Sequence, residues 1–292
     1  MILIGEDLNV MSKQISQAIK ERNDEPIQTL VKEQTQNGMD YLDINVGPVR
    51  KDPEGAMDWI VNTVQACTEL PLCLDTTNPV AMEAGLKACT KKALINSASG
   101  TADSKATMLP LASKYSADVV LSVMNDAGLP SDADERAASI MESIDAANEL
   151  GIPNENIWVD PVLLPIGVDQ RQITAFLEFI QMLQDLGPGV KSTCGLSNLC
   201  FGAPKALKSL LNRTFLVIVG RYGMHSSIVS GFDQELIRLV KGDMPETVEL
   251  IYRAMDEEDI DLSSLNQSEQ EYVKTAQVLM GKSLYSHSWL EV

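Results

Sequence analysis

One feature constrains this chain more than any other. Short runs rich in β-branched residues alternate with longer stretches whose apolar residues recur at helical spacing, and the alternation runs through nearly the whole sequence. Such a rhythm calls for parallel strands joined by crossover helices, because a tight hairpin cannot connect parallel neighbours. Strands are expected at Ile2 to Gly5, Tyr41 to Val46, Pro71 to Asp75, Ala93 to Asn96, Asp118 to Val123, Ile157 to Asp160 and Lys191 to Ser197, with a less pronounced eighth at Ser226 to Val229. Helical stretches such as Pro79 to Ala88 and Asp132 to Leu150 are long enough to form an outer ring. Eight such units close into an α/β fold of the (β/α)8 TIM-barrel type, for which 292 residues is an ordinary length. A single domain spanning residues 1–292 is therefore expected. Residues 240–270 break the rhythm with a strand-free acidic segment containing Met255-Asp256-Glu257-Glu258-Asp259-Ile260-Asp261, before a last helical stretch from Glu269 to Met280. This segment reads as an inserted helical excursion with a solvated acidic face.

Composition removes several functional classes. With 23 Lys and Arg against 41 Asp and Glu, the formal charge is -18, so most of the surface would repel nucleic acid. The mean hydropathy of -0.03 fits neither a membrane nor a disordered chain. No membrane segment stands out, and the opening Met1-Ile2-Leu3-Ile4-Gly5 has too short an apolar run for a signal peptide and no basic region before it. A cytoplasmic location is expected. Five cysteines without a Cys-x-x-Cys pair suggest reduced thiols, mostly packed in the core. Only two histidines, His225 and His287, are present, which excludes a metal site built from several imidazoles, and no protein-bound metal is expected.

The polar residues carry positional information. Nearly every expected strand ends in small polar or acidic side chains at its C-terminal edge, where barrel enzymes place their active sites. They are Glu6 with Asn9, Asp43 with Asn45, Asp75 with Thr76 and Asn78, Asn96 with Ser97, Asn125, Asp160, and Ser197 with Asn198. Any one of them could be a helix cap or a turn residue. A ring of acids and amides without histidines or basic clusters suits a neutral, planar, donor-rich ligand, and a pterin fits. Its amino-pyrimidine edge offers adjacent N–H donors that one carboxylate can accept together, while amides satisfy the remaining ring atoms. Asp75 and Asp160 are the best carboxylate candidates. No Gly-x-Gly-x-x-Gly loop, Walker loop or Gly-x-Ser-x-Gly elbow occurs, so nucleotide-dependent and serine-hydrolase chemistry are poor fits.

These residues resemble a known family, the pterin-binding methyltransferases that exchange methyl groups between tetrahydrofolate and corrinoid proteins. The resemblance rests on Gly5-Glu6, Leu42-Asp43-Ile44-Asn45-Val46-Gly47-Pro48, Leu72-Cys73-Leu74-Asp75-Thr76-Thr77-Asn78, Ile95-Asn96-Ser97, Val159-Asp160-Pro161 with Leu164-Pro165, Gly195-Leu196-Ser197-Asn198 and Asn212-Arg213-Thr214-Phe215, in that order. It implies a dihydropteroate-synthase-like barrel in which Asp75, Asn96 and Asp160 hold the pterin, with Glu6, Asp43, Asn45 and Ser197 as further lining residues. It also implies that the amide of Asn198 engages the nitrogen that carries the methyl group, which makes Asn198 the catalytic residue. Tetrahydrofolate or methyltetrahydrofolate would be the substrate, and the corrinoid (cobalamin) would arrive on a separate protein, since no Asp-x-His-x-x-Gly motif is present to ligate cobalt. A homodimer is the implied assembly.

Leu199-Cys200-Phe201-Gly202-Ala203-Pro204 departs from the polar run of the acetyl-CoA-pathway members, and the acidic excursion is extra. Both differences resemble the catabolic demethylation branch. Two rivals stay open. A dihydropteroate synthase shares barrel and pocket but needs basic contacts for a pyrophosphate, and Arg221-Tyr222-Gly223-Met224-His225 supplies an Arg and a His at a different spacing. A non-catalytic pterin-binding subunit of a corrinoid complex would use the acidic excursion for docking. His225 could face the site or pack as a structural residue, and Glu6 could line the pocket or pair with Arg213 or Arg221.

Overall fold

A computed structural model describes residues 1–47, 51–256 and 259–291. Pro48 of the Gly47-Pro48 motif and Glu257 and Glu258 of the acidic run lie outside the described residues. Eight parallel strands form the inner layer: β1 (Ile2–Asn9), β2 (Tyr41–Asn45), β3 (Leu72–Asp75), β4 (Leu94–Ser99), β5 (Asp118–Ser122), β6 (Ile157–Asp160), β7 (Lys191–Ser192) and β8 (Ser226–Val229). Their order is β7-β6-β5-β4-β3-β2-β1-β8. The remaining gap between β7 and β8 is spanned by a parallel bridge between Gly195 and Ile228 and by the 2.8 Å bond from Ile228 N–H to the Cys194 carbonyl. The outcome is the (β/α)8 barrel expected from the sequence.

Helices α1 (Lys13–Glu21) and α2 (Asp24–Asn37) follow β1. Each later strand up to β7 is followed in turn by one long helix: α3 (Pro53–Gln65), α4 (Pro79–Ala88), α5 (Ala102–Tyr115), α6 (Ala133–Glu149), α7 (Arg171–Leu186) and α8 (Lys205–Arg221). Helix starts follow local chemistry. Asn78 caps α4 by accepting from Val80 and Ala81 N–H, with Pro79 in the first turn, and Asp132 caps α6 by accepting from Glu135 N–H.

Strand alternation sorts the apolar residues into two cores. Leu42, Ile44, Leu74, Ile95, Val119, Leu121 and Val159 point outward into the large core shared with the helices. Ile4, Cys73, Leu94, Val120 and Trp158 point inward, with Ile2, Tyr41 and Ile228 packed against them. Trp158 is 1% exposed and plugs the barrel interior. Its indole N–H donates to Asp118 Oδ2 at 2.9 Å, Tyr41 and His225 meet its ring edge-on, and the Lys191 ammonium lies 5.0 Å from its ring.

Beyond β8 come α9 (Gln234–Lys241), α10 (Pro245–Met255) and α11 (Gln267–Leu279). The expected helical excursion is thus present, but it packs back on the barrel. Tyr272 of α11 donates to Glu235 at 2.7 Å, Arg221 pairs with Asp256 at 2.8 Å, and Lys282 donates to the Ala254 and Met255 carbonyls. Asp256, expected on a solvated acidic face, is consequently engaged by an arginine.

Candidate active site

Continuing the inward alternation two residues past the apolar layer gives Glu6 after Ile4, Asp43 and Asn45 after Tyr41, Asp75 after Cys73, Asn96 after Leu94, Ser122 after Val120 and Asp160 after Trp158. Asn45, Asp75, Ser122 and Asp160 are the last residues of their strands, while Glu6, Asp43 and Asn96 lie inside theirs, Asn96 in register with Asp75. Hydrogen bonds tie the set together. Asn45 Nδ2 donates to Asp75 Oδ2, Asn96 Nδ2 donates to Asp43 Oδ1 at 3.2 Å, and Ser197 Oγ donates to Glu6 Oε1 across the β7 side of the mouth. Two strands bulge just where they deliver a polar residue. Between Gly5 and Leu8, and again between Ile95 and Ala98, one extra residue enters β1 and β4 relative to the partner strand, next to Glu6 and Asn96. Gly5 has no room for a side chain, since a Cβ there would lie 2.1 Å from Gln34 Oε1.

Electrostatics mark this layer as unusual. Burial pushes Glu6 up to about 7, against the opposing hydrogen bond from Ser197. Burial pushes Asp160 up to about 6, opposed by the 2.8 Å bond it accepts from Val162 N–H. Asp43 is raised furthest, first by complete burial and then by the charge of Asp75, whereas Asp75 is raised less because Asn45 donates to it. The two carboxyls titrate as a pair, both raised chiefly by burial. No group of three or more His, Cys, Asp or Glu side chains with metal-binding geometry occurs among the described residues.

Asn198 sits differently. The chain expected to continue as strand to Ser197 leaves β7 after Ser192, and Leu196–Asn198 form a turn of 3₁₀ helix. Thr193 N–H still donates to the Val159 carbonyl of β6 at 2.9 Å, and Cys194 and Gly195 then connect to β8 at Ile228. Asn198 is exposed on the rim, its backbone N–H and carbonyl used within the turn while its side-chain amide has no partner among the described residues.

The other polar strand-end residues are occupied locally. Asn9 accepts from Met11 N–H, Asn78 is the α4 cap, Thr76 donates to the Gly47 carbonyl, and Asn125 accepts from Ala127 N–H while donating to Ser139. His225 precedes β8 at the opposite end of the barrel, against Trp158, and does not face the mouth. Arg213 holds Asp233 and Glu235, and Arg221 holds Asp256, so neither pairs with Glu6. Cys194 and Cys200 are buried, their thiols raised chiefly by burial, which suits packing rather than thiolate chemistry.

Sequence reading missed one supporting residue. Arg136 of α6 is fully buried and donates to the Pro161 carbonyl at 3.1 Å and to Gln172 at 2.5 Å. It anchors the turn after Asp160, where Val162 adopts φ 60°, a conformation a β-branched residue rarely holds. The available signal was an arginine standing in the apolar row Ala133, Ala137, Ile140, Ile144.

Comparison with known proteins agrees with this architecture. The model of the pterin binding enzyme family matches residues 5–230, and the chain belongs to that family. A methylcorrinoid:tetrahydrofolate methyltransferase of Eubacterium limosum is 26% identical over 239 residues, covering 81% of this chain and 88% of the relative. A methionine synthase of Mycobacterium tuberculosis is 27% identical over 241 residues, covering 78% of this chain but 20% of that much longer protein. Among solved structures, a dihydropteroate synthase from Xanthomonas albilineans in complex with 7,8-dihydropteroate superposes with a TM-score of 0.62 at 19% identity, covering 84% of this chain and 92% of that one, a likeness of fold.

Proposed function

We propose that this pterin-binding enzyme transfers a methyl group between tetrahydrofolate and the cobalt of a corrinoid protein. The observation that carries the reading is the mouth itself: a layer of carboxylates and amides without histidine, bounded by the unpartnered amide of Asn198. Asp75 and Asp160 accept the paired N–H donors of the pterin, Asn96 serves the remaining ring atoms, and Glu6, Asp43, Asn45 and Ser197 complete the lining. A carboxyl raised by burial recovers its charge when such donors arrive, so binding and ionisation reinforce each other.

Asn198 is assigned the catalytic contact. A tertiary amine leaves poorly unless its lone pair is engaged as the carbon–nitrogen bond breaks, and an amide N–H supplies that engagement. In the reverse direction the same contact holds the secondary amine for attack, because one transition state serves both directions. The remaining contribution of the chain is positioning. The methylated corrinoid is a substrate brought by a partner protein, and a cytoplasmic homodimer is part of the proposal.

A dihydropteroate synthase reading is disfavoured because the Arg221 to His225 segment, its candidate anion contacts, lies at the far end of the barrel with Arg221 committed to Asp256. The test mixes the protein with tetrahydrofolate and a methylated corrinoid protein and follows corrinoid absorbance. Methyltetrahydrofolate appearing as methyl-cobalt disappears is the expected result. Folate binding without demethylation of corrinoid proteins or of free methylcobalamin would replace it with the non-catalytic subunit reading.

A further inference from the structure

The family model matches the chain only as far as residue 230, yet the chain beyond it returns to the mouth. After α11, residues 282–290 run back across the loop between β6 and α7, which begins directly after Asp160. Both ends of this strap are anchored. Lys282 donates to the Ala254 and Met255 carbonyls, and at the other end the buried Trp289 donates to Thr275 Oγ1 at 2.9 Å while Lys274 donates to the Leu290 carbonyl at 2.8 Å. Between the anchors the side chains of residues 283–288 face solvent, Leu284 at 88% exposure, with the exception of the half-buried Tyr285.

Two side chains join the strap to the loop. Gln170, at the head of α7, accepts from Tyr285 N–H at 3.0 Å and donates to the Val278 and Ser283 carbonyls, each at 2.7 Å. One carboxamide thus satisfies three main-chain groups at the end of α11 and in an irregular segment that has no ladder to satisfy them. The Tyr285 ring stands over the loop backbone, since a Cβ at Gly167 would lie 3.5 Å from its Cε1. Burial raises the Tyr285 phenol and the nearby Cys200 thiol raises it further, so the ring also lies beside the turn that carries Asn198. The loop itself ties the two halves of the site together. Arg136 holds its start at the Pro161 carbonyl, and Ile166 N–H donates at 3.0 Å to the carbonyl of Leu199, the residue after Asn198.

We infer that Gln170 and Tyr285 are positioning residues: through the loop after β6 they set the distance between Asp160, which holds the pterin, and Asn198, which meets the methyl-bearing nitrogen. The inference rests on the methyl-transfer reading of the mouth. Neither side chain touches the ligand. The Asn198 amide has no partner of its own among the described residues, so its place is set by its turn, and the loop grips that turn at Leu199. A loop fixed only at Pro161 and Leu199 could shift between them, and the strap closes that freedom at Gly167 and Gln170. Precision matters here because a displacement of about 1 Å at a reacting group can cost about 10²-fold in rate.

The test compares Gln170→Glu, Tyr285→Ala and Tyr285→Phe with the unsubstituted protein, by amide hydrogen exchange and by methyl transfer from free methylcobalamin to tetrahydrofolate. Gln170→Glu keeps an acceptor for Tyr285 N–H and loses both donors. It and Tyr285→Ala are expected to exchange the Ile166 amide at least about tenfold faster and to lower kcat by about tenfold, with folate affinity within about twofold, because the pterin contacts are untouched. Tyr285→Phe keeps the ring and should match the unsubstituted protein in every measurement. Unchanged kcat in the two disruptive variants, whatever their exchange, would overturn the inference. So would equal losses of rate and folate affinity with a lower melting temperature, which mark general destabilisation, or a retained kcat with a raised KM for a corrinoid protein, which would make the strap a docking surface. Each of these outcomes leaves the transfer reading intact, because the unsubstituted protein is active. Folate binding without methyl transfer by the unsubstituted protein would overturn that reading and the inference with it.

Discussion

Asp160→Asn should make the ligand-free protein more stable at neutral pH. In the folded chain burial raises the Asp160 carboxyl from 3.8 to about 6, so ionising it is harder in the native state than in the unfolded one. A raised acid contributes stability that is full below the unfolded pKa and is lost as pH rises through the folded pKa, here between about 4 and 6. At about 1.4 kcal/mol per pKa unit the penalty above pH 6 is at most about 3 kcal/mol, and partial hydration of the mouth brings the expectation to about 1–3 kcal/mol. Asparagine keeps the acceptor that Val162 N–H uses and carries no charge to desolvate. For a chain of 292 residues this corresponds to a melting temperature higher by roughly 2–5 °C. The assay is thermal unfolding of both proteins from pH 4 to pH 8 without folate. The two curves should converge near pH 4 and separate to their maximum above pH 6. A variant less stable than the parent at pH 7.5, or a difference that does not change with pH, would refute the desolvation argument.

Three further outcomes are expected. Asn198→Ala should lower the rate of methyl transfer by about 10²–10³, as loss of one donor to a developing charge does, with little change in folate affinity; equal losses in both would remove Asn198 from catalysis. Trp158→Ala should destabilise by about 3–5 kcal/mol, since it empties the barrel interior and removes the indole bond to Asp118, which keeps its pairing with Lys92 and Lys191, and urea unfolding at fixed pH measures it. Folate affinity should fall by about tenfold per pH unit below pH 6, where Asp160 takes up the proton that the pterin donors must displace; calorimetric titration between pH 4.5 and pH 7.5 would detect its absence.

The strands read most accurately from sequence were those with plain alternation. The expected Ile157 to Asp160 and Ser226 to Val229 coincide with β6 and β8. β1 and β4 run on to Asn9 and Ser99, past the expected Gly5 and Asn96, because a bulge admits one more residue without ending the pairing, and a bulge leaves no composition signal. β7 fails in the opposite sense. Thr193, Cys194 and Gly195 are small residues that fit a strand, yet only Thr193 still bonds to β6, and closing the ring against β8 through Cys194 and Gly195 lets Leu196 begin a helical turn. Residues at the mouth were legible because they fall at or near the C-terminal ends of the strands expected from the sequence. Arg136 was not, because it reaches its place from a helix whose rotation about the barrel is set by packing, and a polar residue on a helix reads as solvent-facing until that rotation is known.

The depth of the barrel links its stability to its proposed chemistry. Trp158 and Asp160 are consecutive inward residues of one strand, so the indole that fills the interior lies directly beneath the carboxylate layer. A planar ligand can therefore descend no further than Asp43, Asp75, Asn96 and Asp160, and one face of it must remain toward the rim. A methyl group that has to reach a metal carried by another protein needs that exposure, and a deeper pocket would forbid it. If the acids beneath hold the pterin as proposed, exchanging them for apolar side chains would lose it; the resting protein holds several carboxyls at raised pKa values, with Trp158 and its neighbours providing the packing that offsets them. On this account substitutions that neutralise the layer and substitutions that hollow the plug should move stability in opposite directions, while only the former should abolish pterin binding outright.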